Sequence, residues 1–172
     1  YEEGAFTGAR KGGHEGYFRI ADGGTLFLDE ITEIPISLQG KLLEAIQNKH
    51  FFRVGGTEKV QADIRIIAAT NKDLKELVAA KEFREDLYYR LNVFPIEIPP
   101  LRQRIDSLEY IIADILPELS YRCNVNPLIL GTDALQKLKA YAWPGNIREL
   151  SNVLEKAIIL SDGKVILEED IM

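Results

Sequence analysis

The sequence predicts an α/β core over residues 1–100 and a small helical region over residues 101–172. Two short apolar runs, Thr25–Leu28 and Ile64–Ala69, each end in polar residues. Continuous apolar runs of that length are typical of buried strands in a parallel sheet. After the pair Pro99-Pro100 the apolar residues recur at helical spacing instead, which predicts helices.

The other elements of residues 1–100 follow from apolar spacing and turn residues. Glycines spread through the first sixteen residues predict a loop there. The predicted elements after this loop and the first strand are a helix over Ser37–Asn48 with Leu38, Leu42, Leu43 and Ile46 on one face, a hairpin or loop over Phe51–Lys59, a helix opened by a capping box at Asp73–Glu76, a helix over Phe83–Leu91, and a third strand over Val93–Ile98.

Three helices are predicted after residue 100. The first starts at Asp106 and must end or kink at Pro117, because proline lacks the N–H that a helix interior needs. The second is capped by Thr132 or Asp133, and the third by Asn146. The side chains predicted to face inward are Leu108, Ile111, Ile112, Ile115, Leu119, Leu135, Leu138, Leu150, Val153, Leu154 and Ile158.

Composition limits the function classes. The chain has 172 residues, 46% of them hydrophobic and 28% charged, which is ordinary for a soluble globular protein. The single cysteine, Cys123, excludes an internal disulfide framework, and His14 and His50 lack partners at zinc-ligand spacing. The net charge of −6 disfavours a stand-alone DNA-binding domain. We expect a cytoplasmic protein that reaches DNA only through a partner or a separate domain.

Polar side chains follow both predicted core strands. Asp29 and Glu30 come directly after the first, at the end where open α/β sheets bind ligands. One carboxylate can hold Mg²⁺ on a nucleotide and the other can position the attacking water, roles that suit Asp29 and Glu30 respectively. Thr70 and Asn71 follow the second strand, and the Asn71 amide can reach a phosphate if the two strands are neighbours. The alternatives are a solvated strand end and a simple turn residue.

Three arginines are candidates for phosphate contact. Arg84 and Arg90 lie six residues apart, so on one helix they point about 120° apart and cannot grip one phosphate together. One could reach a nucleotide on a neighbouring subunit while the other holds the local structure. Arg148 follows a Pro-Gly turn and lies at the beginning of a predicted helix. From there it can sense the nucleotide state by contacting phosphate. The alternative for each arginine is a surface ion pair; for the first two the partners would be Glu82, Glu85 or Asp86.

The loop formed by Gly4, Ala5, Phe6, Thr7, Gly8 and Ala9 displays one aromatic residue among small ones. Such a tip suits contact with another protein, because an exposed aromatic is a typical interface anchor. By composition alone, an incidental flexible loop is an equal alternative.

These pieces, in this order, resemble the AAA+ domain of bacterial enhancer-binding proteins of the nitrogen-regulation type, which activate the sigma-54 RNA polymerase. The matching stretches are GAFTGA at residues 4–9 (the signature loop), GGTLFLDE at residues 23–30 (Walker B), Thr70-Asn71 (sensor I), FREDLYYRL with Arg84 and Arg90 (paired candidate arginine fingers) and WPGNIREL with Arg148 (sensor II). The resemblance covers essentially the whole chain.

The resemblance implies a partial AAA+ P-loop NTPase core, a three-layer α/β structure with a parallel sheet, over residues 1–100. A helical lid would occupy residues 101–172. Subunits of such proteins form a ring, usually a hexamer, with ATP and Mg²⁺ at each interface. Asp29 and Glu30 would serve Mg²⁺ and water, and the adjacent subunit would supply the two arginines of FREDLYYRL.

The resemblance also implies what hydrolysis does. It would move the loop at Phe6-Thr7, which engages sigma-54 and remodels the polymerase complex at the promoter. A second loop containing Arg53, Gly55 and Gly56 would support the first. DNA would be bound by a separate domain, as in regulators of two-component systems.

One element of that family is missing from these residues. The phosphate-binding loop G-x-x-x-x-G-K-[ST] does not occur, since Gly40-Lys41 is followed by Leu42 and Gly163-Lys164 by Val165. The family carries this loop upstream of the signature loop, so we expect a fragment of a longer ATPase that does not itself bind ATP tightly. The alternative is a non-catalytic module that contacts sigma-54 polymerase and has no nucleotide site.

Overall fold

A computed structural model describes residues 16–52, 57–126, 128–161 and 164–171. The chain divides into two compact units, the first ending at Pro95 and the second beginning at Ile96. Each unit has its own cluster of buried apolar side chains. Within the described ranges, no helix has the length and apolar character needed to cross a membrane. The predictions for Gly4–Ala9 and for Arg53, Gly55 and Gly56 fall outside these ranges.

Helices and strands are interleaved along the first unit. They are α1 (Tyr17–Ile20), β1 (Thr25–Leu28), α2 (Ile36–Asn48), β2 (His50–Phe52), β3 (Lys59–Gln61), β4 (Arg65–Ala68), α3 (Leu74–Ala79) and α4 (Glu85–Leu91). The α/β class, the long helix and the hairpin (β2 with β3, antiparallel) are therefore confirmed. The predicted N-cap of α3 is also present, because the Asp73 carboxylate accepts a hydrogen bond from the Lys75 N–H at 2.7 Å.

β1 and β4 form the parallel pair that the apolar runs predicted. Thr25 lies opposite Arg65, and the register continues to the last residue of each strand. The prediction that both strands are buried is wrong for one face, since Phe27 is 59% and Ile67 44% exposed. Side chains alternate across a strand. Only the face bearing Leu28 packs against the described core of this unit.

The core of the first unit joins α2 to α4. Its buried members are Ile31, Leu42, Leu43, Phe83 and Leu87. On α2 the inward face begins one residue later than predicted, because Leu38 is 48% exposed whereas Gln39 is fully buried. Gln39, Leu42, Leu43 and Ile46 have the i, i+3, i+4, i+7 spacing of a helix face.

The predicted third strand is wrong. Residues 93–98 pair with no described strand. Four apolar side chains of this stretch, Val93, Phe94, Ile96 and Ile98, are 75% to 83% exposed. The apolar pattern of this stretch fits a strand, but a strand also needs a neighbour to complete its hydrogen bonds, and a local pattern does not specify that neighbour.

The second unit contains the three predicted helices. They are α5 (Leu108–Arg122), α6 (Thr132–Ala140) and α7 (Asn146–Leu160), joined by a short parallel pair of β5 (Ile129–Leu130) and β6 (Val165–Ile166) that was not predicted. Short 3-10 helices at Leu101–Gln103, Ile105–Ser107 and Glu168–Asp170 complete the unit.

Two local predictions in this unit need correction. Of the two alternatives for α5, an end at Pro117 is wrong because the proline lies inside the helix, and a kink there stays a prediction. Leu116 and Leu119, near the proline, are buried in the core. α6 is not capped by Thr132 or Asp133, because Gly131 occupies the N-cap position and no side-chain cap is formed.

Replacing Gly131 by alanine is expected to lower the free energy of unfolding of the second unit by about 1–3 kcal/mol. The added Cβ would lie 2.9 Å from the carbonyl oxygen of Ile166, a backbone atom that cannot move aside cheaply. Urea unfolding followed by fluorescence reports on this unit, because Trp143 is the only tryptophan and is buried there.

The neighbouring substitution Thr132→Ala is the control. The Thr132 side chain is exposed and makes no cap bond, so its loss should change the unfolding free energy by less than about 0.5 kcal/mol. An equal loss in both variants would show that steric exclusion at Gly131 is not the cause.

Candidate functional site

The ends of β1 and β4 lie side by side. Leu28, the last residue of β1, is opposite Ala68, the last residue of β4. The Ala69 N–H also donates to the Leu28 carbonyl oxygen at 2.9 Å, which extends the pairing by one residue. The segments Asp29–Glu30 and Thr70–Asn71 therefore leave the pair at the same edge.

The turn after β1 exposes two consecutive carboxylates above a buried anchor. Glu30 has left-handed backbone angles, φ 49° and ψ 48°, and its N–H donates to Asp29 Oδ1 at 3.0 Å. Ile31 is 1% exposed, and its N–H donates to the Ala69 carbonyl oxygen at 3.0 Å. A left-handed conformation costs a non-glycine residue about 1–2 kcal/mol. The anchoring of Ile31 holds the turn in this conformation.

Side chains also connect the two segments that follow the strands. The hydroxyl oxygens of Thr32 and Thr70 are 3.4 Å apart, and the Lys72 N–H donates to Thr70 Oγ1 at 3.0 Å. Lys72 Nζ donates to Glu33 Oε1 at 2.6 Å, and this hydrogen bond, with the carboxylate charge, raises the pKa of Lys72. Asn71 is exposed and forms no hydrogen bond with other described residues.

The chemistry of this edge suits a magnesium nucleotide. Mg²⁺ prefers oxygen ligands and is commonly held by one or two carboxylates together with substrate phosphates and water. Asp29 and Glu30 supply two such carboxylates. Among the described residues, no group of three or more His, Cys, Asp or Glu could hold a metal ion on its own. A magnesium nucleotide would bring phosphate oxygens of its own to this edge.

Arg84 precedes α4 and does not lie on it. Its backbone is extended, with φ −73° and ψ 133°, so the angle of about 120° predicted between Arg84 and Arg90 does not apply. Arg84 Nε donates to Asp86 Oδ1 at 3.0 Å and Nη2 donates to Oδ2 at 2.7 Å. This two-point pair raises the pKa of Arg84 and lowers that of Asp86. The surface ion pair that was the alternative for Arg84 is thus present.

Arg90 is in a different situation at the other end of the same helix. It lies in the last turn of α4, is exposed, and has no ion pair or hydrogen bond from its side chain to any described residue. The helix itself is fixed, because Leu87 is fully buried and Phe83 is 2% exposed. The guanidinium of Arg90 is therefore carried by a fixed helix and has no described partner in its own unit.

Arg148 belongs to the second unit, where it lies exposed in the first turn of α7. The turn before it is anchored by Trp143, which is 1% exposed and donates from Nε1 to the Leu138 carbonyl oxygen at 2.8 Å. No described residue pairs with the Arg148 side chain.

The predicted cap of α7 by Asn146 is wrong. Asn146 has φ 51°, and its Oδ1 accepts a hydrogen bond from the Leu101 N–H at 2.8 Å instead of capping its own helix. The carboxylate of Glu149 accepts from the Gly145 N–H at 2.8 Å and from the Tyr141 hydroxyl at 3.1 Å. The hydrogen bond and charge of Glu149 raise the pKa of Tyr141.

Comparison with known families identifies the class of protein. Residues 1–97 match the sigma-54 interaction domain, and residues 102–172 match the AAA+ ATPase lid domain. The chain therefore belongs to the sigma-54 interaction domain family and continues into an AAA+ lid. The resemblance and the fold class predicted from the sequence are both confirmed.

The chain is similar to several curated proteins but spans less than a third of the length of each of the three named here. It is 51% identical to nitrogen fixation protein AnfA of Azotobacter vinelandii, covering 96% of this chain and 31% of AnfA. It is 50% identical to a protein named limonene hydroxylase of Geobacillus stearothermophilus, covering 94% and 30%. It is 46% identical to the DNA-binding transcriptional activator HyfR of Escherichia coli, covering 95% and 24%.

Solved structures agree with the family assignment. The complexes of NtrX from Brucella abortus with ADP and with ATP each superpose with a TM-score of 0.81 at 34% identity, over 90% of this chain and 36% of NtrX. The relatives include a protein named as a DNA-binding transcriptional activator, HyfR.

Two features near the site were missed by the sequence reasoning. The ion pair of Lys72 with Glu33 joins residues 39 positions apart, which no local pattern reveals. Gln39 was overlooked because a polar residue was not expected at an inward position, although its spacing from Leu42, Leu43 and Ile46 is that of the buried face.

Replacing Arg84 by alanine is expected to raise the pKa of Asp86 toward its ordinary value of 3.8, because the arginine hydrogen bond is the largest cause of its lowering. A folded-state pKa below the unfolded value means that this pair stabilises the fold above pH 3.8 and that the contribution is lost as the pH falls through the folded-state pKa. Carboxyl NMR titration measures the shift.

The matched control is Arg90→Ala, which removes the arginine at the other end of α4 without touching Asp86. The pKa of Asp86 should stay lowered in that variant. An unchanged Asp86 titration in Arg84→Ala would contradict the assigned cause.

Proposed function

We propose that this chain is the central part of a regulator that hydrolyses ATP to activate transcription by sigma-54 RNA polymerase. The observation that carries the proposal is the shared edge of β1 and β4, where Asp29 and Glu30 adjoin Thr70 and Asn71 in a chain of the sigma-54 interaction domain family. The ATP and ADP complexes of NtrX support a nucleotide as the ligand.

The residues at the edge have separate roles in this proposal. Mg²⁺, when bound with ATP, would neutralise phosphate charge. Asp29 would hold the metal ion, and Glu30 would orient the attacking water and accept its proton. Thr70 would position the loop through its hydrogen bond from Lys72, leaving the free Asn71 amide to hydrogen-bond the terminal phosphate or the water.

Arg84 and Arg90 have different roles in this proposal because their contacts differ. Arg84 is engaged by Asp86 and would hold the beginning of α4 in place. Arg90 has no described partner, so it would reach the nucleotide of the adjacent subunit in a ring, probing phosphate charge in trans. Arg148, exposed in the lid, would sense the nucleotide from the second unit. We propose residues 1–100 as the core and residues 101–172 as the lid.

The loop Gly4–Ala9 is proposed as the sigma-54 contact, with Phe6 and Thr7 at its tip and the loop containing Arg53, Gly55 and Gly56 in support. This follows from the GAFTGA sequence and the match of residues 1–97 to the sigma-54 interaction domain. DNA binding would belong to a different domain of the protein, in agreement with the net charge of −6 of this chain.

The full protein, containing a phosphate-binding loop, is needed for activity under this proposal. These 172 residues lack G-x-x-x-x-G-K-[ST], whose backbone and lysine hold the β- and γ-phosphates. Calorimetric titration of the isolated 172 residues should show no tight binding of Mg-ATP, whereas the full protein should bind it. Tight binding by the isolated chain would contradict the need for that loop.

Replacing Glu30 by alanine in the full protein is expected to lower kcat for ATP hydrolysis by about 100-fold or more, because a group that orients and deprotonates water contributes at least that much. Binding of ATP should persist, since Asp29 and the phosphate contacts remain. Steady-state phosphate release measures the first, and titration with a slowly hydrolysed ATP analogue measures the second.

The matched control is Glu76→Ala, which removes an exposed carboxylate of α3 that has no described ion pair. Turnover in this variant should stay close to wild type. Unchanged turnover in Glu30→Ala would remove Glu30 from the mechanism. A full protein that binds sigma-54 polymerase but no ATP would favour the non-catalytic module.

A further inference from the structure

Gln39 is an unusual buried residue of the first unit. Gln39 and Ser120 are the two fully buried polar residues in the described ranges. Ser120 donates to a carbonyl oxygen of its own helix, Leu116, which is an ordinary local bond. Gln39 instead bonds to backbone groups outside α2. A buried amide that joins separate segments fixes their relative position, because breaking any one bond leaves a buried polar group without a partner.

Three hydrogen bonds hold the Gln39 amide. Nε2 donates to the Ile34 carbonyl oxygen at 3.0 Å and to the Glu82 carbonyl oxygen at 3.2 Å. Oε1 accepts from the Arg84 N–H at 2.8 Å. Only this orientation of the amide satisfies all three, because a flipped amide would face two carbonyl oxygens with its own oxygen and an N–H with its nitrogen.

The bond to Arg84 satisfies a backbone group that the helix cannot satisfy. Arg84 is the residue immediately before α4, so its N–H has no acceptor within the helix. The preceding turn is closed on α3, since the N–H groups of Glu82 and Phe83 both donate to the Leu77 carbonyl oxygen. The Gln39 side chain therefore links α2 to Arg84, the N-cap residue of α4.

α2 also borders the Arg84 side chain. A Cβ added to Gly40 would lie 3.8 Å from Arg84 Nη1, so the guanidinium lies against the helix one residue beyond Gln39. Asp86 holds the same guanidinium from the other direction. The backbone and side chain of Arg84 are therefore both set against α2, and with them the origin of the helix that carries Arg90.

We propose that Gln39 is a positioning residue that sets the start of α4 and so aims Arg90, which that helix carries, at the nucleotide of the adjacent subunit. This inference rests on the proposed ATPase function. It assigns to Gln39 an effect on hydrolysis in a neighbouring active site and none on the site of its own subunit. That asymmetry separates a positioning role from a general role in folding.

The test uses the full protein with Gln39→Met, which keeps the length of the side chain and removes its hydrogen bonds. We expect kcat for ATP hydrolysis to fall by about 10- to 100-fold, the effect of misplacing a catalytic group by about 1 Å, with little change in KM for ATP. The control is Gln47→Met, the same change at an exposed position of α2, which should leave turnover unchanged.

A mixing experiment shows which subunit is affected. Gln39→Met subunits, with an intact Glu30, are combined with Glu30→Ala subunits, which have a correctly placed Arg90. At random equal mixing, about a quarter of the interfaces join a working Glu30 to a working Arg90, so hydrolysis should recover to about that fraction. Arg90→Ala mixed with Glu30→Ala is the reference. Gln39→Glu, which keeps an acceptor for the Arg84 N–H, provides a second variant if Gln39→Met does not assemble.

The outcomes distinguish the positioning role of Gln39 from the proposed ATPase function. Recovery in both mixtures supports the inference. Recovery with Arg90→Ala but none with an assembled Gln39 variant overturns it, because the defect then lies in the subunit's own site. Recovery in neither mixture overturns the trans role of Arg90 and the inference with it. A wild-type protein that does not hydrolyse ATP contradicts the proposed function itself.

Discussion

The in-register parallel pairing of β1 with β4 is the constraint on which the first unit depends. Parallel neighbours require a crossover, so α2 and the β2–β3 hairpin must fit between them in sequence. The same pairing ends both strands at one edge, with Leu28 opposite Ala68. The polar residues that follow each strand therefore lie at the same edge of the pair. The hydrogen bonds from Lys72 to Thr70 and Glu33 fix how the two segments meet.

α2 links this edge to the rest of the unit. Leu42 and Leu43 contribute to the apolar core shared with α4, while Gln39 satisfies backbone groups on both sides of that core. Apolar packing is tolerant of small shifts, whereas a three-bond amide is directional. The same helix therefore supplies cohesion through its leucines and orientation through its glutamine. Such a division suits a helix against which α4, the carrier of Arg90, must be held in a fixed direction.

The strands, helices and cap that could be predicted are those that depend on local sequence patterns. Apolar runs gave β1 and β4, spacing gave α2 and the lid helices, and an Asp at a helix start gave the cap at Asp73. The failures depended on partners distant in sequence. The Asn146 side chain accepts a hydrogen bond from the Leu101 N–H and does not cap its own helix. Residues 93–98 have an apolar pattern but no neighbouring strand among the described residues. The positions of the candidate arginines were anticipated, but the pairing that separates Arg84 from Arg90 needed coordinates.

Glu30 illustrates a conflict between stability and activity at a single residue. Its left-handed backbone is a conformation that glycine adopts freely and other residues adopt at a cost of about 1–2 kcal/mol. A screen for thermal resistance would therefore reward glycine at this position, although glycine has no carboxylate. An engineered, more robust version of this protein would have to draw its added stability from elsewhere, because the most accessible gain at this turn removes the group proposed to handle water.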